Sequence, residues 1–371
     1  MTEEQNSRGM QPDRVYVIYG REAGKMVREA LDTLRPFDRL PRSSRIGLKP
    51  NLVVAKTSDS GATTSVALIE SLVRTLKEQD FHHLTILESS GVGHSTGRAY
   101  QVTGLDKLAA RYELELLDLK QTRSLKVEAD GFKTRIFQKV RELDYLINLP
   151  VVKAHCQTGI TCALKNLKGL LPDPEKRRFH SLGLHRPIAV LNRIIRQDLI
   201  VADGIMGDLS FEEGGTPVRM DRILKAKDPV LLDAFVADCL GYHWSEINHV
   251  SMAADLGVGL PYRNKDQIIE LNRNLAPDQN FSVTSSLERL TGHIDERQAC
   301  STCLRALIRA LHLLQSRGRL SGLHQALCIG QGFRGQPVPG LGIGTCTAEC
   351  AQSVPGCPTS PVDIVKFLSA D

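Results

Sequence analysis

LDYLINLPVVKAH, residues 143–155, is a largely apolar stretch that ends on a lysine and a histidine. It is too short to cross a membrane, and a continuous apolar run of this kind reads as a strand buried on both faces. Neighbouring segments repeat the theme. RVYVIY (14–19), RIGLKPNLVV (45–54), HLTILESS (83–90), LELLDL (114–119) and LIVADG (199–204) all read as strands. Between them, 3.6-residue periodicity predicts helices over 22–34, 66–78, 97–112, 185–196 and 228–240, and residues 124–140 alternate as a hairpin. Strands separated by helices of this length build an α/β fold with a mostly parallel sheet and helices on both faces. The expected organisation is an α/β anion- or substrate-binding domain over 12–245, a connecting segment over 246–294, and a small iron–sulfur cluster module over 295–371.

Composition narrows the class. The 371 residues are 42% hydrophobic, 24% charged and 5% aromatic, with a net charge of +5. So mild a charge with so few rings disfavours a nucleic-acid binder. The start, MTEEQNSRGMQPD, has no apolar segment, and no run is long enough to span a bilayer. The expectation is a cytoplasmic protein with no secretory signal and no membrane insertion.

Six of the nine cysteines crowd the tail: Cys300, Cys303, Cys328, Cys346, Cys350 and Cys357. Clustered thiols in a reducing compartment favour metal or redox chemistry over disulfides. A-C-S-T-C (299–303) opens an apolar helix, G-I-G-T-C-T (342–347) is glycine-rich, and V-P-G-C-P (354–358) holds its thiol on a proline-stiffened loop. Four thiolates so arranged suit zinc or an iron–sulfur cluster. The order C-x-x-C, G-x-C, P-G-C-P resembles the motif of the small subunits of nickel–iron hydrogenases and the related subunit of respiratory complex I. That resemblance implies a [4Fe-4S] cluster on Cys300, Cys303, Cys346 and Cys357, with Cys350 as a substitute for Cys346 and Cys328 in the core. G-Q-G-F-R-G (330–335) fits a dinucleotide fingerprint by spacing, but Pro337 and Pro339 forbid the helix that fingerprint needs, so it reads as a loop.

In the body, polar residues fall just beyond strand ends, where α/β sheets place ligands. Lys49 and Asn51 follow the second strand, Lys153 and His155 the strand at 143–152, and Lys165 and Asn166 a helix expected to start near Thr161 with its amides turned to an anion. Three such lysines suggest an anion site, with Asn51, Thr64, Thr161 and Asn166 as binding groups; a lysine at a strand end is otherwise simply solvated or snorkelling. His155, His180, His185 and Asp203 join Lys153 and Lys165 as the candidate catalytic groups, the histidine spacing being unspecific for metal. Asp228 before Pro229 reads as an N-cap, and Cys156 and Cys162 as structural.

KPN, A-T-T-S (62–65), NLPVVKAH, KNLKG, H…GLHRPIA, VADG and DPVLLD follow one another from Arg45 to Tyr242. This series resembles the domain of unknown function 362 family, whose members are often fused to or accompanied by iron–sulfur modules. KAH stands where KTH is usual, and G-G-T-P (214–217) replaces the usual Gly-Pro. The expected function is an oxidoreductase passing electrons from a ferredoxin-like donor through one [4Fe-4S] cluster to a small anionic substrate or partner. The alternatives are an accessory protein delivering a metal or cofactor, and a non-redox enzyme with a structural cluster.

Overall fold

The computed structural model describes residues 10–155, 157–209, 213–214, 217–277, 292–319 and 325–369; Cys156 lies outside them. The chain divides into two compact units, Met1–Arg177 with His185–Ser282, and Arg178–Leu184 with Val283–Asp371.

The first unit is α/β. Its strands are β1 (Val15–Tyr19), β2 (Ile46–Pro50), β3 (Leu84–Glu88), β4 (Glu115–Asp118), the hairpin β5 (Ser124–Ala129) and β6 (Phe132–Phe137), β7 (Tyr145–Leu149), β8 (Val151–His155), β9 (Gly159–Thr161), β10 (Leu199–Asp208), β11 (Pro217–Ala226) and β12 (Ile268–Glu270). The main sheet runs β12-β1-β11-β10-β7-β2-β3-β4, with β8 attached to β10 and β9 to β8. Tyr16, Ile18, Ile46, Leu48, Ile147 and Leu149 belong to one core cluster. The residues between them (Val15, Val17, Gly47, Leu146, Asn148) are also buried, so both faces of these strands are covered.

Three local readings change. The stretch 143–155 is two strands, because Pro150 has no N–H to give a ladder; β10 pairs first with β7 and then with β8. The helix expected over 97–112 breaks into α3 (Thr96–Thr103) and α4 (Leu105–Tyr112) at Gly104, whose φ of 85° no helix accommodates. The sheet is mixed: β11, absent from the sequence reading, runs antiparallel to both β10 and β1.

Of the remaining helices, α1 (Ala23–Leu34) and α2 (Val66–Glu78) cover one core. The others are α5 (Ala163–Asn166), α6 (Asp173–Ser181), α7 (His185–Ile194), α8 (Pro229–Cys239) and α9 (Asn248–Asp255). Asp228 caps α8 by accepting from the amides of Val230 and Leu231, with Pro229 first in the helix, as its sequence indicates. The segment beyond 246 does more than connect: α9 buries His249 and Val250 against α7, and β12 adds a parallel strand beside β1.

The second unit has four short parallel strands in sequence order, β13 (Ile294–Glu296), β14 (Leu327–Ile329), β15 (Val338–Ile343) and β16 (Cys350–Val354). Helices α10 (Ser301–Ser316) and α11 (Pro361–Leu368) pack together. Residues 330–335 form a turn, as expected. A Cβ on Gly330 would sit 2.1 Å from the Arg297 carbonyl, so this glycine serves close backbone packing.

Candidate functional site

The parallel strands β2, β3 and β7 present their carboxyl ends side by side, with Lys49 opposite Asn148 in the β2–β7 register. Lys49 is wholly buried and its ammonium is taken up internally: Glu88 Oε2 at 2.5 Å, the Pro50 carbonyl at 2.7 Å and Asn166 Oδ1 at 3.4 Å. Burial lowers its pKa and the Glu88 carboxylate opposes that shift. Gly169, the last residue of KNLKG, makes room for the pair; a Cβ there would lie 1.9 Å from Glu88 and 2.7 Å from Lys49.

From these cations runs a one-way chain of amides. Lys153 Nζ, also fully buried, donates to Asn51 Oδ1 (3.2 Å) and the Ala62 carbonyl (2.7 Å). Asn51 Nδ2 donates to Asn166 (2.9 Å), Asn166 to Asn148 (2.7 Å), Asn148 to Gln197 (2.5 Å), and Gln197 to Asn192 (2.6 Å). Every carbonyl oxygen in the chain faces toward the lysines, which fixes each amide's orientation and aligns the dipoles to favour positive charge there. Thr64 Oγ1 ties the same knot, accepting from Asn51 N and donating to the Leu149 carbonyl. The structure therefore brings together Lys49, Asn51, Thr64, Lys153 and Asn166. It uses Lys49 and Thr64 to hold the strand ends, and it places Lys153 opposite the buried Asp208 in the β8–β10 register.

The expected helix start at Thr161 is a correction. Thr161 ends the short strand β9, and α5 is a single turn whose first amides, Ala163 and Leu164, donate to Asp233 of α8 (2.8 and 3.0 Å). Those amides are not turned to an anion; a buried carboxylate already holds them. Burial pushes Asp233 up to about 7 against these hydrogen bonds. Asp203 behaves alike, raised by burial to about 6 while accepting from the amides of Ser65 and Ile205. Lys176, which the sequence did not mark, donates to the Ser89 and Ser90 carbonyls, and burial brings it down to about 8.

A second group lies around Lys165 and His155. Lys165 Nζ donates to Thr161 Oγ1 at 3.1 Å. His155 Nδ1 accepts from the amides of Gln157 and Thr158, which places the proton of the neutral ring on Nε2. His185, first residue of α7, stacks on His249 of α9 with centroids 6.1 Å apart and planes 28° apart. His249 was missed by the sequence reading: a histidine inside a short helix looks unremarkable until its burial is seen. His180 belongs to the second unit.

In that second unit, Cys300 stands at the N-cap position of α10 with its thiol beside that of Cys303; hydrogen bonding from the Cys303 thiol lowers Cys300 to about 6, while Cys303 is raised in turn. The Thr359 amide also donates to Cys303, Cys357 bears on it electrostatically, and a Cβ on Gly344 would lie 3.9 Å from its sulfur. Arg334 bonds Cys346 and feels Cys357. The loops themselves are joined by Thr345 N to the Gly356 carbonyl at 3.0 Å. Cys350 pairs with Cys328 in a separate buried cluster with Phe333. Among the described residues, no three of His, Cys, Asp and Glu gather as a ready metal site.

Residues 46–238 match the family described as a domain of unknown function, DUF362. The chain belongs to that family. The matched region holds the whole lysine–amide network and Asp233, whereas His249 and the tail cysteines lie outside it. A thylakoid-associated protein, sll1697, of Synechocystis is 24% identical over 255 residues, covering 64% of this chain and 77% of that protein. Two solved structures share part of the fold: a lactate racemase apoprotein from Thermoanaerobacterium thermosaccharolyticum (TM-score 0.39, 15% identity, 69% of this chain and 58% of that one) and a Thermotoga maritima protein (TM-score 0.38, 11% identity, 64% and 60%). The chain spans less than two thirds of either. Among the described residues, no helix is long and apolar enough to cross a membrane.

Proposed function

We propose that this DUF362 protein is an iron–sulfur oxidoreductase, with one [4Fe-4S] cluster on Cys300, Cys303, Cys346 and Cys357 and a small anionic substrate in its first unit. The observation that carries this reading is the meeting of three cysteine-bearing segments in the second unit, at the start of α10 and in the loops around Gly344 and Gly356. The donor chemistry fits: four thiols, a glycine beside one sulfur, and Arg334 to balance thiolate charge at Cys346. When bound, such a cluster supplies one-electron transfer, with a ferredoxin-like protein as the donor. The Cys303 and Thr359 amides would orient the sulfurs, and the first unit would position the substrate and manage its protons.

Anaerobically purified protein is expected to carry about four iron and four sulfide per chain. Cys357→Ser should lose most of that iron, and Cys328→Ser should keep it. Stoichiometric zinc without sulfide overturns the proposal. A second reading is favoured by the first unit itself, whose candidate groups are all lysines, histidines, carboxylates and amides: a non-redox enzyme with a structural cluster. An EPR signal from the reduced cluster that substrate leaves unchanged would select it. Cytoplasmic location is part of the proposal, and fractionation tests it against the thylakoid association named for the Synechocystis relative.

A further inference from the structure

We propose that His185 and His249, with Lys165 and His155 beside them, bind a small oxyanion through ring nitrogens that no described residue partners. The inference rests on the anion-binding half of the function above and is independent of the cluster.

His249 is wholly buried in the first turn of α9, and among the described residues neither of its ring nitrogens has a hydrogen-bond partner; His185 Nδ1 is likewise buried and, among them, unpartnered. An imidazole always carries at least one donor, and a buried polar atom left alone forfeits its hydration with nothing in return. The surrounding interior satisfies even its awkward groups, as the five-amide chain from Asn51 to Asn192 shows. Three orphaned nitrogens on two stacked rings are therefore an exception that calls for an occupant.

The charge around the pair identifies the class. Among the described residues, the groups acting on His249 are His185, Lys165 and His155, and none is acidic. Burial first, then these basic neighbours, holds His249 well below the ordinary imidazole range, and burial lowers His185. A cation would add to the same repulsion. A carboxylate or phosphate oxygen would accept from the ring N–H groups, relieve that repulsion and draw protons onto the rings.

Long-range 1H–15N NMR of the full chain reads the protonation of both rings directly. Titration with acetate or inorganic phosphate is expected to move the His185 and His249 nitrogens to imidazolium positions. The more effective anion distinguishes carboxylate from phosphate chemistry. His249→Gln and the more accessible His185→Gln should each weaken that anion's affinity about tenfold or more, the loss of one charge-assisted hydrogen bond. Rings unmoved by either anion, affinity unchanged in both variants, or rings that respond to zinc instead would overturn the proposal. Protein without iron would sink the cluster and leave this titration readable.

Discussion

The carboxyl ends of β2 and β3 and the first turns of α7 and α9 both bury polar side chains, and they treat them in opposite ways. At the strand ends the lysines and amides are answered: Lys49 by Glu88, Lys153 by Asn51, and each amide by the next. At the helix starts, the rings of His185 and His249 face each other with nitrogens that no described residue satisfies. Lys225 stands between these extremes, fully buried on β11 with, among the described residues, a single carbonyl, Ala30, at 3.4 Å. A protein interior tolerates a buried polar group when the fold itself completes it. Where it does not, the group is either a standing cost to stability or a place reserved for something that binds. Graded substitutions separate these cases.

The largest effect is expected at the satisfied end. Glu88→Gln leaves the Lys49 ammonium buried without its counter-charge and should cost about 3–5 kcal/mol in urea unfolding. A loss below about 1 kcal/mol would mean that the pair is not what holds the strand ends, and the contrast would fail.

Lys225 tests the middle. Burial, then repulsion from Lys227, lowers its pKa to about 7. A lysine depressed in the folded state favours folding only above its unfolded value near 10.4, and that favour is lost as pH falls toward 7. Lys225→Met should therefore stabilise the protein by roughly 3–5 kcal/mol at pH 6, with the gain shrinking to about half or less by pH 9. A gain that does not vary with pH would show that the ammonium is already solvated.

The smallest effect belongs to the orphaned pair. His249→Leu removes no hydrogen bond and should change stability by less than about 1 kcal/mol, or raise it, while abolishing anion uptake. A loss of about 3 kcal/mol or more in unliganded protein would show that the ring has internal partners after all.

Much of the candidate site was legible because its signals are local. Lysines and asparagines directly after apolar strands marked the strand ends, and KPN and KNLKG proved to be two halves of one network. What was illegible depends on pairings across long stretches of chain. Lys176 acquires its role only when β3 and α6 meet. Asp233 takes the α5 amides from 70 residues away, which removed the expected anion site at Thr161. His249 gained meaning only when α9 laid it against His185.

By itself, the sequence determined the α/β character of the first unit, the positions of most strands and helices, and family membership, because periodicity and motif order are properties of short segments. It also placed the tail thiols in glycine and proline loops. Tertiary structure alone decided that the sheet is mixed, since the direction of β11 depends on which neighbours it finds. It likewise decided which lysines are satisfied and which histidines are not. Whether a buried polar group has a partner is a fact about residues far apart in the chain, and no local pattern contains it.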